Sequence, residues 1–225
     1  MIRLAGRAGV FAAVLAAACL AACSSLFQSK VKPPTIYWLS AGAESPALGT
    51  PAAESPAAGD PPPAIPIDLT VLKPRMRPGL ESDRIAVLYP DRHLDYFADA
   101  RWSGPLGEVI EDLAVQEFRS HANLRTARGD ASVFGSARWL EIEVTDFQAE
   151  YTSAAAPTVH VHLVARLGGS GDRRILGQFA ANARQPAAEN RLTAIVDAFA
   201  HAADAALAQI VAEADETLAK TSEAR

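Results

Sequence analysis

Residues 159–167, Val-His-Val-His-Leu-Val-Ala-Arg-Leu, with the loop Gly168-Gly169-Ser170-Gly171-Asp172 and the return segment Ile175–Asn182, decide the fold. Val159, Val161, Leu163, Ala165 and Leu167 recur every second residue, the period of a strand with one face buried. A glycine-rich loop before a second such run predicts an antiparallel hairpin. Upstream, Arg138–Tyr151 starts the same way, with Leu140, Ile142 and Val144 in phase. Its apolar residues then switch phase to Phe147, Ala149 and Tyr151. A shift of one residue near Asp146 predicts a bulge, or a bend where the strand leaves the core.

Two helical patterns flank this group. From Pro105 to about Ser120, Leu106, Ile110, Leu113 and Ala114 share one face, with Ser103 or Gly104 expected as the cap. From about Glu189 to Ala214, Leu192, Ile195, Phe199, Ala203, Leu207 and Ile210 recur at helical spacing, and a polar tail from Glu213 is expected to fray. Earlier strands are expected at Thr35–Leu39, at Ile67–Leu72 and at Arg84–Tyr89, with a short extended piece from His93 to Ala100. Strands, a helix, three strands and a helix predict an α+β domain, an antiparallel or mixed sheet with two main helices packed on one face.

The N-terminus reads as an address. Arg3 and Arg7 precede an uncharged apolar run from Ala8 to Ala22, and Leu20-Ala21-Ala22-Cys23 closes it in the pattern of a bacterial lipoprotein signal. Cleavage before Cys23 would make that thiol the acylated N-terminus. Cys19 is a poorer candidate, having Ala16 where Cys23 has Leu20. Removing residues 1–22 leaves 203 of the 225 residues, and loss of the two arginines takes the formal charge from −5 to −7. So acidic a chain is a poor nucleic-acid binder. With Cys19 gone, neither an intrachain disulfide nor a cysteine zinc site is available. No segment after the signal is read as a transmembrane helix, so the protein is expected on a membrane rather than through it. Ser24, where Asp would favour retention in the inner membrane, points to the outer membrane, facing the periplasm.

The expected organisation is a signal peptide (1–22), a lipidated N-terminus and tether (23–34), one domain (35–212) and a polar tail (213–225). Within the domain, residues 41–66 are almost wholly Ala, Pro, Gly, Ser and acids, a composition that cannot bury enough apolar surface to order itself. They read as a disordered insertion between two strands rather than a domain boundary.

Taken together, these features resemble the ABC-type transport auxiliary lipoprotein family, the PqiC-like group. The matching residues are Cys23, Tyr37-Trp38-Leu39, Leu80-Glu81-Ser82-Asp83-Arg84-Ile85-Ala86-Val87, Leu94-Asp95-Tyr96-Phe97, Arg101-Trp102 and the helix start Pro105-Leu106. The resemblance implies a periplasm-facing accessory to a lipid transport system built from an MCE-family protein, an inner-membrane ABC permease and an ATPase.

The site candidates follow. Tyr96, Phe97, Arg101 and Trp102 could form an interface, Trp102 as anchor and Arg101 as its charged neighbour. The competing structural reading puts Trp102 in the core and pairs Arg101 with a carboxylate. His160 and His162 share a strand face and could hold a metal with Glu141 or Glu143, against a plain solvent-facing polar stripe. The glycine-rich loop could cradle phosphate only if it led into a helix. No P-loop, G-x-S-x-G or H-E-x-x-H occurs, so neither enzyme activity nor a cofactor is expected. The outer sheet face or a strand edge could pair with a second copy. The leading functional expectation is an outer-membrane accessory lipoprotein supporting membrane integrity. The alternative is a structural assembly or pilot lipoprotein for an outer-membrane or secretion complex, and a weaker one is direct lipid binding in a cavity.

Overall fold

The computed structural model describes residues 33–40, 42, 65–132, 135–153, 155–171 and 174–223. The signal, Cys23, Ser24 and the tether up to residue 32 lie outside these residues, as does nearly all of the Ala/Pro-rich segment. Pro34–Arg225 is one unit, and the description concerns that unit.

The centre of the sheet is β7 (Arg138–Glu150), a 13-residue strand hydrogen-bonded along both edges. One edge carries the predicted hairpin, β8 (Thr158–Gly169) antiparallel to β7 and β9 (Ile175–Pro186) antiparallel to β8. The other edge is shared by three strands running parallel to β7. These are β2 (Ile65–Val71) at Arg138–Leu140, β3 (Arg75–Met76) at Glu143–Val144 and β4 (Arg84–Leu88) at Ala149–Glu150. Beyond them, β6 (Leu124–Gly129) pairs parallel with β2, β5 (Leu94–Trp102) antiparallel with β4, and β1 (Thr35–Tyr37) parallel with β5. The result is one mixed nine-stranded sheet. Because β1 and β2 both belong to it, the Ala/Pro-rich segment joins two strands of one domain.

The phase change in β7 is a bulge. Val144 pairs with Leu163 and Asp146 with His162, so Thr145 is the extra residue. The bulge returns Phe147 and Ala149, opposite Val161 and Val159, to the face of Leu140, Ile142 and Val144. All five are 0–1% exposed. The strand therefore does not leave the core, and the insertion keeps it there. Thr145 Oγ1 donates to the carbonyl of His162 at 3.1 Å, capping the interrupted ladder.

Both helices lie against this apolar face. The first helix, α1 (Leu106–His121), packs on β6 and β2, and the second, α2 (Leu192–Glu223), packs on β8, β9 and α1. At the start of α1 neither Ser103 nor Gly104 supplies a cap. Pro105 takes the cap position, no side chain closes it, and the Leu106 N–H donates instead to the Ser82 carbonyl at 3.1 Å. Helix α2 runs nine residues beyond the expected end at Ala214, because the stripe of Ile210 continues through Ala214 and Leu218, each fully buried. The expected frayed tail is therefore helix as far as Glu223; acids at 213, 215 and 216 conceal the stripe in the sequence. By length and hydropathy α2 would also suffice to cross a membrane, contrary to the expectation above, but its apolar stripe is packed inside the domain.

Where β5, β7 and α2 meet, Trp102, Phe147 and Phe199 form an aromatic triad. Trp102 meets the other two edge-on at 6.0 and 5.2 Å, and the phenylalanines stack at 5.1 Å. Such contacts add about 0.5–1.5 kcal/mol each beyond the area they bury.

Deleting Thr145 would give β7 unbroken alternation with the same residues inward. That variant should fold and lose about 1 kcal/mol, the scale of one hydrogen bond. Deleting Gln148 drives Glu150 into the position of Ala149 and should abolish the cooperative thermal transition in circular dichroism.

Candidate functional site

Among the described residues, the predicted site residues fall on two surfaces, one on the β1–β5–β4 flank and one on the outer face of β7–β8–β9.

On the flank, the ladder register sorts the predicted residues. Tyr37 lies opposite Trp102, and both turn inward with Leu39, leaving Trp102 only 1% exposed. Ile36 lies opposite Arg101, Arg101 opposite Arg84, and Tyr96 opposite Ala86, so Ile36, Arg101, Arg84 and Tyr96 share the outer face. Arg101 is held by Asp83 at 2.6 Å. Tyr96 donates to the Gly79 carbonyl at 2.8 Å, and the Arg84 guanidinium lies 3.8 Å from its ring centroid. Tyr96 and Phe97 are both half-buried and pack against the core. The structural reading thus holds for Trp102 and Arg101, while Tyr96 and Arg101 are the two proposed interface residues that reach a common outer surface. The flank also displays Trp38, 74% exposed, which stands among the family-like residues of the sequence but not among its site candidates. The signal was present: in Ile36-Tyr37-Trp38-Leu39 both alternating faces are apolar, and a lone edge strand can bury only one.

The positive φ of Asp99 (52°) and a register shift between β4 and β5 mark a kink in β5. The piece expected as merely extended from His93 to Ala100 is therefore a full, bulged strand reaching Trp102.

On the β7–β8–β9 face, His160 and His162 stack parallel with ring centroids 6.5 Å apart. Their carboxylate partners are Glu150 and Asp146. His160 Nδ1 lies 2.9 Å from Glu150 Oε1 and its Nε2 3.1 Å from Asn182 Oδ1, while His162 Nδ1 lies 3.6 Å from Asp146. Gln148 donates to both carboxylates, Arg184 donates to Glu150 at 2.7 Å, and Arg77 reaches Asp146 at 3.4 Å. Glu141 and Glu143, the expected third metal ligands, pair with Arg166 instead, and Glu141 also with Arg75. Among the described residues no cluster of three His, Cys, Asp or Glu is placed to hold a metal. The stripe is a closed hydrogen-bond network in which His160 (7% exposed) and Gln148 (5%) are buried rather than solvent-facing. The glycine-rich loop joins β8 to β9, with the Gly169 N–H donating to the Arg174 carbonyl at 2.9 Å, and no helix follows it to bind phosphate.

Burial alone would raise the Glu150 carboxyl, but hydrogen bonds from Arg184, His160 and Gln148 outweigh it and hold the group below its ordinary range. Asp146 is lowered in the same way, its burial outweighed by Gln148, the two histidines and Arg77. Groups lowered on folding add stability above their unfolded pKa, about 4, and lose it as pH falls through the folded value. Glu150→Gln should therefore destabilise by about 1–3 kcal/mol at neutral pH, and the gap from the parent should narrow below about pH 4. Urea unfolding across pH reads this out, and parallel profiles would refute it. Trp102→Ala, by contrast, should cost about 3–5 kcal/mol at any pH, as loss of a core aromatic does.

No curated protein matches this sequence. Among solved structures, the chain is similar to protein XCC0632 from Xanthomonas campestris, assigned to the family model DUF330. The TM-score is 0.68 at 23% identity, over 84% of this chain and 99% of that one. A second similar structure, of an uncharacterized protein, gives 0.59 at 15% identity over 81% and 99%. At these identities the likeness concerns the fold. The family model for the ABC-type transport auxiliary lipoprotein component matches residues 47–211, which takes in every strand after β1, helix α1 and α2 as far as residue 211. The chain belongs to the ABC-type transport auxiliary lipoprotein family.

Proposed function

We propose that the protein is a non-enzymatic accessory subunit of an ABC-type lipid transport system, anchored through acylated Cys23 to the outer membrane and facing the periplasm. The observation that carries this reading is the family match over 47–211 behind the signal Leu20-Ala21-Ala22-Cys23. Ser24 supports sorting to the outer membrane. The partners are an MCE-family protein with its inner-membrane permease and ATPase.

The test is crosslinking in intact cells followed by capture of the tagged, full-length protein at native expression. MCE and permease components should be recovered, and a deletion strain should become detergent-sensitive with altered outer-membrane lipids. Recovery of a secretion or outer-membrane assembly complex instead, with lipids unchanged, would replace this reading with the pilot role. Cys23→Ala should abolish palmitate labelling and release the protein from the membrane fraction, and the domain should stay folded. Full membrane retention of that variant would refute the anchor.

A further inference from the structure

Four large apolar residues are exposed among those described, and two of them adjoin at β1, Ile36 at 58% and Trp38 at 74%, while Leu94 at 39% stands at the other end of β5. Leu94 lies opposite Leu88, two residues along from the Ala86–Tyr96 pair, so it shares the outer face with Tyr96, Arg101 and Ile36. Trp38 follows Ile36 by two residues, while Tyr37 and Leu39 between and after them turn inward. The patch therefore sits on an edge strand whose other side is already fixed in the core.

We infer that Ile36 and Trp38 are a membrane-contact patch, by which the domain seats this flank on the bilayer surface that holds its acyl anchor. The inference rests on the reading of Cys23 as that anchor. Three observations select a lipid surface over another occupant. First, Thr35 follows Cys23 by 12 residues, which span about 43 Å even when fully extended, so β1 is the first part of the fold beyond the anchor and cannot be carried far from it. Second, residues 23–43 contain Lys30 and Lys32 and no acid, in a chain of formal charge −5. The negative charge therefore begins only at Glu44, and the approach to the patch is basic, as suits an anionic leaflet. Third, Trp38 is exposed, and Trp is enriched at membrane interfaces, where the indole ring lies among headgroups.

The full-length protein, with the mass of its N-terminal peptide recorded, is reconstituted into vesicles of phosphatidylethanolamine and phosphatidylglycerol with and without brominated acyl chains. Trp102 is core-buried, and a Trp139→Phe background leaves Trp38 as the responsive fluorophore. Vesicle binding should blue-shift its emission and brominated chains should quench it; both effects should vanish in Trp38→Ser and weaken in Ile36→Ser. Acylated, vesicle-bound protein with unquenched Trp38 overturns the inference and leaves the anchor standing. Quenched Trp38 in protein that carries no acyl chain supports the patch and overturns the anchor. A blue shift that grows with protein concentration in the absence of lipid, together with a heavier species in sedimentation, assigns the patch to a second copy and overturns the inference.

Discussion

One strand with both edges occupied governs this molecule. On one side β7 meets β8 along its whole length, and on the other it meets β2, β3 and β4 in turn. Parallel neighbours cannot be joined by tight turns and need longer crossovers. The chain meets that demand by lodging β5, α1 and β6 between β4 and β7. The bulge at Thr145 lies between the β3 contact at Val144 and the β4 contact at Ala149. A bulge adds local twist, so the β1–β5–β4 flank leaves the sheet at a point where its spine is already bent.

The two faces of that strand are stabilised by different physics. Inward, Leu140, Ile142, Val144, Phe147 and Ala149 are closed off by the helices and the aromatic triad. Outward, cross-strand pairs of opposite charge run along the sheet, from Glu141 with Arg75 and Arg166 to Glu150 with Arg184. Two buried polar side chains, Gln148 and His160, are accommodated because Gln148 bonds to Asp146, Phe147 and Glu150 along its own strand and His160 to Glu150 and Asn182 on the strands either side. This face needs no covering layer, and among the described residues neither helix packs on it.

Much of this was legible in the sequence. The β8–β9 hairpin, the bulge near Asp146 and both helices announce themselves through periodicity, which depends on local alternation alone. What escaped were elements whose signal is not local. Strand β6, Leu124–Gly129, carries Arg125 and Arg128 and exists because β2 offers it an open edge. The two-residue β3 looked like turn because it bonds only to the middle of β7. At the candidate site, sequence proximity joined Arg101 to Trp102, yet neighbours in a strand point to opposite faces. The register separates them and puts Arg101 beside Ile36 instead. Likewise His160 and His162 were rightly placed on one face, but their partners depended on the bulge, which brings Asp146 and Glu150 rather than Glu141 and Glu143 alongside them.

The parallel pairing of β1 has a mechanical consequence. Three register pairs, Thr35–Ala100 to Tyr37–Trp102, tie it to β5, with Tyr37 and Leu39 packed on the core, and among the described residues it pairs with no other strand. A pull transmitted from the N-terminus reaches those pairs before any other part of the domain. If they let go, residues 35–64 add about 100 Å of contour, and the β7 ladder and both helices stay whole. The strand is thus a release point that converts tension into reach, and the long Ala/Pro segment behind it sets how much reach is held in reserve.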